Sequence, residues 1–175
     1  MPKQEWQPPS TLVDAGFEQP PVSLYVHIPW CERKCPYCDF NSHEHFSPAL
    51  EKPYVSALLA DLEQQIEDQS IPSVTSVFIG GGTPSLFSAE SIDVLLSGVF
   101  SRVNVAPGAE ITLECNPSSG EVERFAGYRK AGVNRLSLGV QSFHDVALTA
   151  LGRIHNADQS RRAVAAAAEY FERFN

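Results

Sequence analysis

The feature that most limits how this chain can fold is an alternation of short apolar runs with amphipathic stretches, beginning at residue 23. Ser23–Ile28 reads as a buried strand. Residues 53–67 read as a helix, with Tyr54, Val55, Leu58, Leu59, Leu62 and Ile66 on one face and Pro53 at its first position. Val74–Ile79 is β-branched and aromatic, a second strand. Ser88 caps a helix whose Ile92, Leu95, Leu96 and Val99 recur at helical spacing. Glu110–Cys115 is a third strand. Gly120–Ala131 is a helix with Glu121 and Glu123 in its first turn and Gly132 beyond its end. Arg135–Val140 is a fourth strand, and Asn156–Arg173 a helix burying Val164, Ala167, Ala168 and Phe171. Strands alternating with helices predict an α/β fold of parallel βαβ units with right-handed crossovers. The first strand is not followed by a Rossmann glycine fingerprint. The expectation is therefore a partial TIM-like (β/α) barrel of about four units, truncated C-terminally, whose closure needs strands beyond Asn175. Its fourth strand would carry an unpaired edge.

The 175 residues correspond to about one domain at roughly 150 residues per domain. Residues 1–22 hold five of the 13 prolines without sustained periodicity and read as an extended N-terminal arm, leaving 23–175 as the folded part. The net charge of −8 argues against a nucleic-acid backbone or an anionic membrane as partner. The longest apolar run, Ala163–Ala168, is far short of the ~20 residues of a bilayer span. The first ten residues contain no apolar signal core, so a cytoplasmic, reducing setting is expected.

In parallel α/β folds chemistry gathers beyond the carboxyl ends of the strands. Three of the four cysteines lie there: Cys31, Cys35 and Cys38, spaced C-x3-C-x2-C after the first strand. Three thiolates on a short loop suit three irons of a [4Fe–4S] cluster, leaving the fourth iron open to a chelating ligand. A zinc site completed by His43 or His45 is the alternative, although no fourth ligand stands at finger spacing. After the second strand comes Gly80-Gly81-Gly82-Thr83-Pro84. It lacks the lysine of a phosphate-binding loop, and its glycines let backbone approach a ligand closely. Glu114, ending an otherwise mostly apolar strand, suits paired ribose hydroxyls, as acids do in dinucleotide sites; the plain alternative is a surface acid. Cys115 reads as a small buried hydrophobe and His27 as a satisfied core histidine. His43, His45 and His144 read as loop residues.

Together these residues resemble the radical S-adenosylmethionine (radical SAM) superfamily. The cysteine motif, with Tyr37 just before its last member, is that superfamily's signature. The flanks Tyr25–Trp30, Cys35–Asn41, Gly80–Ser85, Glu114–Pro117, Asn134–Phe143 and Leu151–His155 resemble the HemN/HemW group, which contains oxygen-independent coproporphyrinogen III oxidases and heme chaperones. The likeness runs from about Leu24 to Asn156. It implies that residues 23–175 are the N-terminal part of a radical SAM core domain, with Cys31, Cys35 and Cys38 holding the [4Fe–4S] cluster. It implies SAM on the open iron, with Tyr25, Gly81 and Glu114 matching first-SAM contacts. Tyr37, Gly82, Thr83, Gln141 and Arg153 match contacts to a second SAM in the oxidase branch. Reductive cleavage of SAM is the chemistry the cofactors would carry.

Oxidases of the group carry a further cysteine two residues after the third cluster cysteine; here that position is Phe40. The resemblance therefore implies the heme-chaperone branch, with heme or porphyrin as cargo and a heme-accepting client protein. Oxidative decarboxylation of coproporphyrinogen is the second reading, and a non-catalytic zinc module the third.

Overall fold

The computed structural model describes residues 20–68, 71 and 73–175. The expected arm over 1–22 lies outside these residues except for Pro20, Pro21 and Val22, and Val22 already opens the first strand. The elements are β1 (Val22–Ile28), α1 (Glu51–Asp68), β2 (Val74–Gly81), α2 (Ala89–Arg102), β3 (Val105–Cys115), α3 (Ser119–Val122), α4 (Phe125–Ala131), β4 (Arg135–Leu138), α5 (Asp145–Ala150), α6 (Ala157–Tyr170) and β5 (Arg173–Phe174). The strands form one five-stranded sheet in the order β1-β2-β3-β4-β5. Every pairing is parallel. This is the expected partial (β/α) barrel, an arc of wall with its strand ends at one mouth.

The register sorts the side chains into two faces, because successive residues of a strand point to opposite sides. Leu24, Val26 and Ile28 align with Val77, Ile79 and Gly81, and Val77 and Ile79 with Ile111 and Leu113. Leu113 and Cys115 then meet Leu136 and Leu138. This aliphatic face is covered by the helices, through Val55 and Leu62 of α1, Ile92, Leu95, Leu96 and Val99 of α2, Phe125 and Tyr128 of α4, and Ala167 of α6. The other face carries Ser23, Tyr25 and His27, then Ser76, Phe78 and Gly80, then Glu110, Thr112 and Glu114, then Arg135 and Ser137. On it Tyr25 is 56% exposed. β1 is thus half-buried, and not the fully buried strand its apolar residues suggest.

Caps stand where the residue types place them. Ser88 accepts the Ser91 amide at 3.2 Å, and Asn156 and Gln159 form a reciprocal capping box on α6. Gly132 closes α4 at φ 110°.

Several expectations need correction. The helix expected over 120–131 is two. Glu121 turns inward to accept from Ser85, in the turn after β2, and from Asn116, just past β3, and α4 begins at Phe125. α1 starts at Glu51 rather than Pro53 because a 3₁₀ turn at Pro48–Leu50 feeds it, and the Glu51 carboxylate accepts the Ser88 amide at 2.9 Å. α6 ends at Tyr170, since the chain must become extended to enter β5. Its buried positions are Ala157, Ser160, Ala163 and Ala167; Ala168 is exposed and Val164 only half-buried. Phe171, past the helix end, is buried against Phe125 with ring centroids 6.1 Å apart. β4 stops at Leu138, where the Val140 and Ser142 amides reach back two residues in successive tight turns. The fourth strand's far edge is not bare, because β5 pairs with it from Arg135 to Leu136.

Candidate functional site

The loop after β1 is closed at its base. The Cys31 amide donates to the His43 carbonyl at 2.9 Å and the His43 amide to the Pro29 carbonyl at 2.7 Å. Trp30 anchors this base, edge-on to Tyr54 at 4.7 Å and stacked near Phe87 at 5.9 Å. Within the loop, Cys38 N–H reaches the Cys35 carbonyl at 3.0 Å and Lys34 Nζ donates to the Phe40 carbonyl at 3.0 Å.

The glycine loop after β2 interlocks with it. The amides of Gly82 and Thr83 donate to the carbonyls of Ile28 and Trp30 at 2.9 and 2.6 Å. A Cβ at Gly82 would stand 2.5 Å from the Trp30 carbonyl oxygen and 3.0 Å from Cys31 Sγ. Gly81 holds φ +122°, a region that side chains avoid. The glycines therefore serve first to bring this backbone against the cysteine loop.

Ten of the eleven side chains or backbones expected in the site line one open cleft at the strand mouth: Cys31, Cys35, Cys38, Tyr37, Gly81, Gly82, Thr83, Glu114, Gln141 and Arg153. Tyr25 lies in an adjoining hollow that shares Gly81 and Glu114 with it. There His27 Nε2 donates to the Asn41 carbonyl at 2.8 Å, so Nδ1 accepts the Tyr25 hydroxyl at 2.9 Å. His27 is satisfied but only half-buried, not a core residue. Glu114 Oε2 accepts the Gly81 amide at 3.0 Å. Burial pushes the Glu114 carboxyl above its ordinary range, against the pull of that amide and of His27. Gln141 is exposed and adopts φ 62°, rare for a non-glycine residue. Cys115 is buried, and burial raises its thiol well above the usual range. His144 precedes α5, and His43 and His45 are exposed loop residues.

Two residues that the sequence does not place in the site tie the mouth together. Asn116 donates through Nδ2 to Thr83 Oγ1 at 3.0 Å and accepts Arg153 Nη2 at 2.6 Å. Glu121, 3% exposed, accepts the Ser85 hydroxyl, the Asn116 amide at 2.7 Å and the Ser118 hydroxyl at 3.2 Å. Burial raises its carboxyl above the ordinary range, opposed by those bonds. An acid in a first helical turn is explained by the helix dipole alone, so the sequence carries no signal of this second task.

The donor set, three free thiols on one short loop that line one cleft, suits an iron–sulfur cluster, in which a separate iron can take each thiolate. All four cysteines are free thiols. The cleft measures about 240 Å³.

The superfamily model described as radical SAM matches residues 25–175. A protein named heme chaperone HemW from Haemophilus influenzae is 53% identical over 149 residues, covering 83% of this chain and 39% of that protein. The protein of the same name from Escherichia coli is 51% identical, covering 82% of this chain and 38% of its own length. The chain thus spans about two fifths of the curated relatives it matches. Among solved structures, the radical SAM enzyme coproporphyrinogen III oxidase (HemN) from Escherichia coli superposes with a TM-score of 0.73 at 28% identity, covering 87% of this chain and 36% of that one. With its three-thiol loop, glycine loop and strand-end acid at one mouth, this chain belongs to the radical SAM superfamily and, within it, fits the HemN/HemW group.

Proposed function

We propose that residues 23–175 are the N-terminal, cofactor-binding part of the core domain of a HemW-like heme chaperone working in a reducing, cytoplasmic setting. Superfamily membership implies SAM and an iron–sulfur cluster. The observation that carries the chaperone reading is the contrast in likeness: 53% and 51% identity to proteins named heme chaperone HemW, against 28% to the coproporphyrinogen oxidase. Phe40, where the oxidases have cysteine, points the same way.

Cys31, Cys35 and Cys38 would hold the cluster. Bound together, cluster and SAM supply one-electron chemistry. The chain's own residues position these groups. The Gly82 and Thr83 amides fix the cysteine loop against β2. Gly81 N–H holds one oxygen of the Glu114 carboxylate, leaving Oε1, which has no partner among the described residues, to accept ribose hydroxyls. Tyr25 is oriented beside it by His27. Heme as cargo and a client that accepts it follow from the relatives' name.

The test begins with anaerobic reconstitution. Iron and sulfide should give about four irons per chain. Single changes of Cys31, Cys35 or Cys38 to Ala should abolish this, while Cys115→Ala should not. SAM should perturb the EPR signal of the reduced protein, and Glu114→Ala should weaken SAM binding by the ~1–3 kcal/mol of a lost buried acceptor. The protein extended past Asn175 should bind heme and leave coproporphyrinogen III unchanged. One zinc per chain without sulfide overturns the cluster, and turnover of coproporphyrinogen III promotes the oxidase.

A further inference from the structure

Arg153 carries more of the site than its place in the cleft suggests. Its backbone is pinned over the cysteine loop. The Arg153 amide donates to the Leu148 carbonyl at 2.9 Å and the Gly152 amide to that of Thr149 at 2.9 Å. Arg33 Nη2 donates to the Gly152 carbonyl. Gly152 takes φ +70° and packs so closely on the cysteine loop that a Cβ would sit 2.8 Å from Pro36 Cδ. His155, buried, donates Nε2 to the Val140 carbonyl at 3.1 Å.

From this anchor the side chain runs into the cleft. Nη2 donates to Asn116 Oδ1 at 2.6 Å and to the Gly139 carbonyl at 2.8 Å. Nη1 lies 3.2 Å from Cys35 Sγ and 3.4 Å from the Tyr37 hydroxyl. Each terminal nitrogen carries two protons, so both are fully engaged. Nε is buried without a partner. None of the four acceptors is a carboxylate, and Arg153 forms no ion pair among the described residues. Of the four acceptors one is the sulfur of a motif cysteine, so the half-buried guanidinium places a fixed positive charge directly against Cys35.

We propose that Arg153 is a positioning residue for the iron–sulfur cluster: its guanidinium caps the Cys35 thiolate, joins the cysteine loop to the loops after β3 and β4, and raises the reduction potential of the bound cluster. The proposal rests on the reading that Cys31, Cys35 and Cys38 hold a cluster. Hydrogen bonds to the sulfurs and the net charge nearby set the potential of such clusters. Reduction takes one electron from a low-potential one-electron donor and adds one negative charge to the cluster. No bond is formed or broken at Arg153, whose fixed positive charge favours the reduced form.

The experiment compares the reconstituted wild-type protein with Arg153→Gln and Arg153→Lys, measuring iron and sulfide content, thermal unfolding, SAM affinity and the midpoint potential by EPR-monitored titration without SAM. Arg153→Gln should lower the potential by at least a tenfold change in the reduction equilibrium, about 59 mV for a one-electron couple. Arg153→Lys keeps the charge but not the planar fork, and should fall between Gln and wild type. If Arg153→Gln fails to assemble a cluster, the proposal stands or falls on whether Arg153→Lys lies below wild type. An unchanged potential at full cluster occupancy overturns the proposal. So does weakened SAM binding with the SAM-free potential intact, which would make Arg153 a cofactor ligand instead. A wild-type protein that takes up no cluster overturns the underlying reading.

Discussion

The two faces of the one sheet are built by opposite rules. On the helix side, Val26, Ile79, Leu113 and Leu136 stand in register across four strands, all buried. On the other side the same strands present Tyr25, Phe78, Thr112 and Arg135. Tyr25 and Phe78 are exposed, and their rings stack at 6.2 Å. The aliphatic face is where removal from water stabilises the fold. The inner face buries Thr112 but leaves Tyr25 and Phe78 exposed, and is free to carry side chains selected for what they bind. This division lets the site sit on rigid strands without the core depending on site residues.

The sharpest way to break the comparison is to cut into the aliphatic face. Leu113, 0% exposed, lies at the centre of it. Leu113→Ala should cost about 2–5 kcal/mol by urea denaturation, the range for large-to-small changes in a packed core. A loss below that range would mean the helices do not close over this face.

An intermediate effect should come from the junction between the faces. Glu121→Ala leaves the Ser85 hydroxyl and the Asn116 amide without their acceptor, at roughly 1–3 kcal/mol for a buried unpaired group. The wild type should also show a pH signature. Because burial raises the Glu121 carboxyl, the folded state keeps that proton to higher pH than the unfolded chain does. The contribution is fully present below the ordinary carboxylate range and is lost as pH rises through the folded value. Unfolding measured against pH should show this downward slope flattened in Glu121→Ala.

The smallest effect belongs to the inner face. Glu110 pairs with Arg135 at 2.7 Å and with Arg173 at 3.5 Å. The Arg135 hydrogen bond is the main cause holding the Glu110 carboxyl below its ordinary range. The pair therefore stabilises above that range, and the gain is lost as pH falls through the lowered value. Since these side chains are about a third or more exposed, Glu110→Gln should cost no more than about 0.2–1 kcal/mol at neutral pH. A loss as large as that of Leu113→Ala would erase the distinction between the faces.

What was legible in the sequence followed from periodicity and punctuation. The four longer strands, the helices covering them, Ser88 and Gly132 all announce themselves through spacing or a cap. The cysteine and glycine loops were readable because their residue types are rare in such runs. α5 was missed because six residues, Asp145–Ala150, are too few to show a helical face. β5 was missed because Arg173–Phe174 directly follows a helical pattern and becomes a strand only by pairing with Arg135 and Leu136. The link from Glu121 through Asn116 to Arg153 joins residues far apart in the chain, and no local pattern encodes it.

The order of the strands in the sheet is also their order along the chain. A newly emerging strand therefore meets a ladder whose last member was synthesised just before it, and only a helical crossover has to close in between. Loop-closure entropy grows slowly with length, so each addition carries a similar modest cost and no strand waits for a distant partner. Such a sheet lends itself to growth by accretion from the N-terminus during translation. The cysteine and glycine loops belong to the first two strands, so the mouth begins to take shape while most of the wall is still being made.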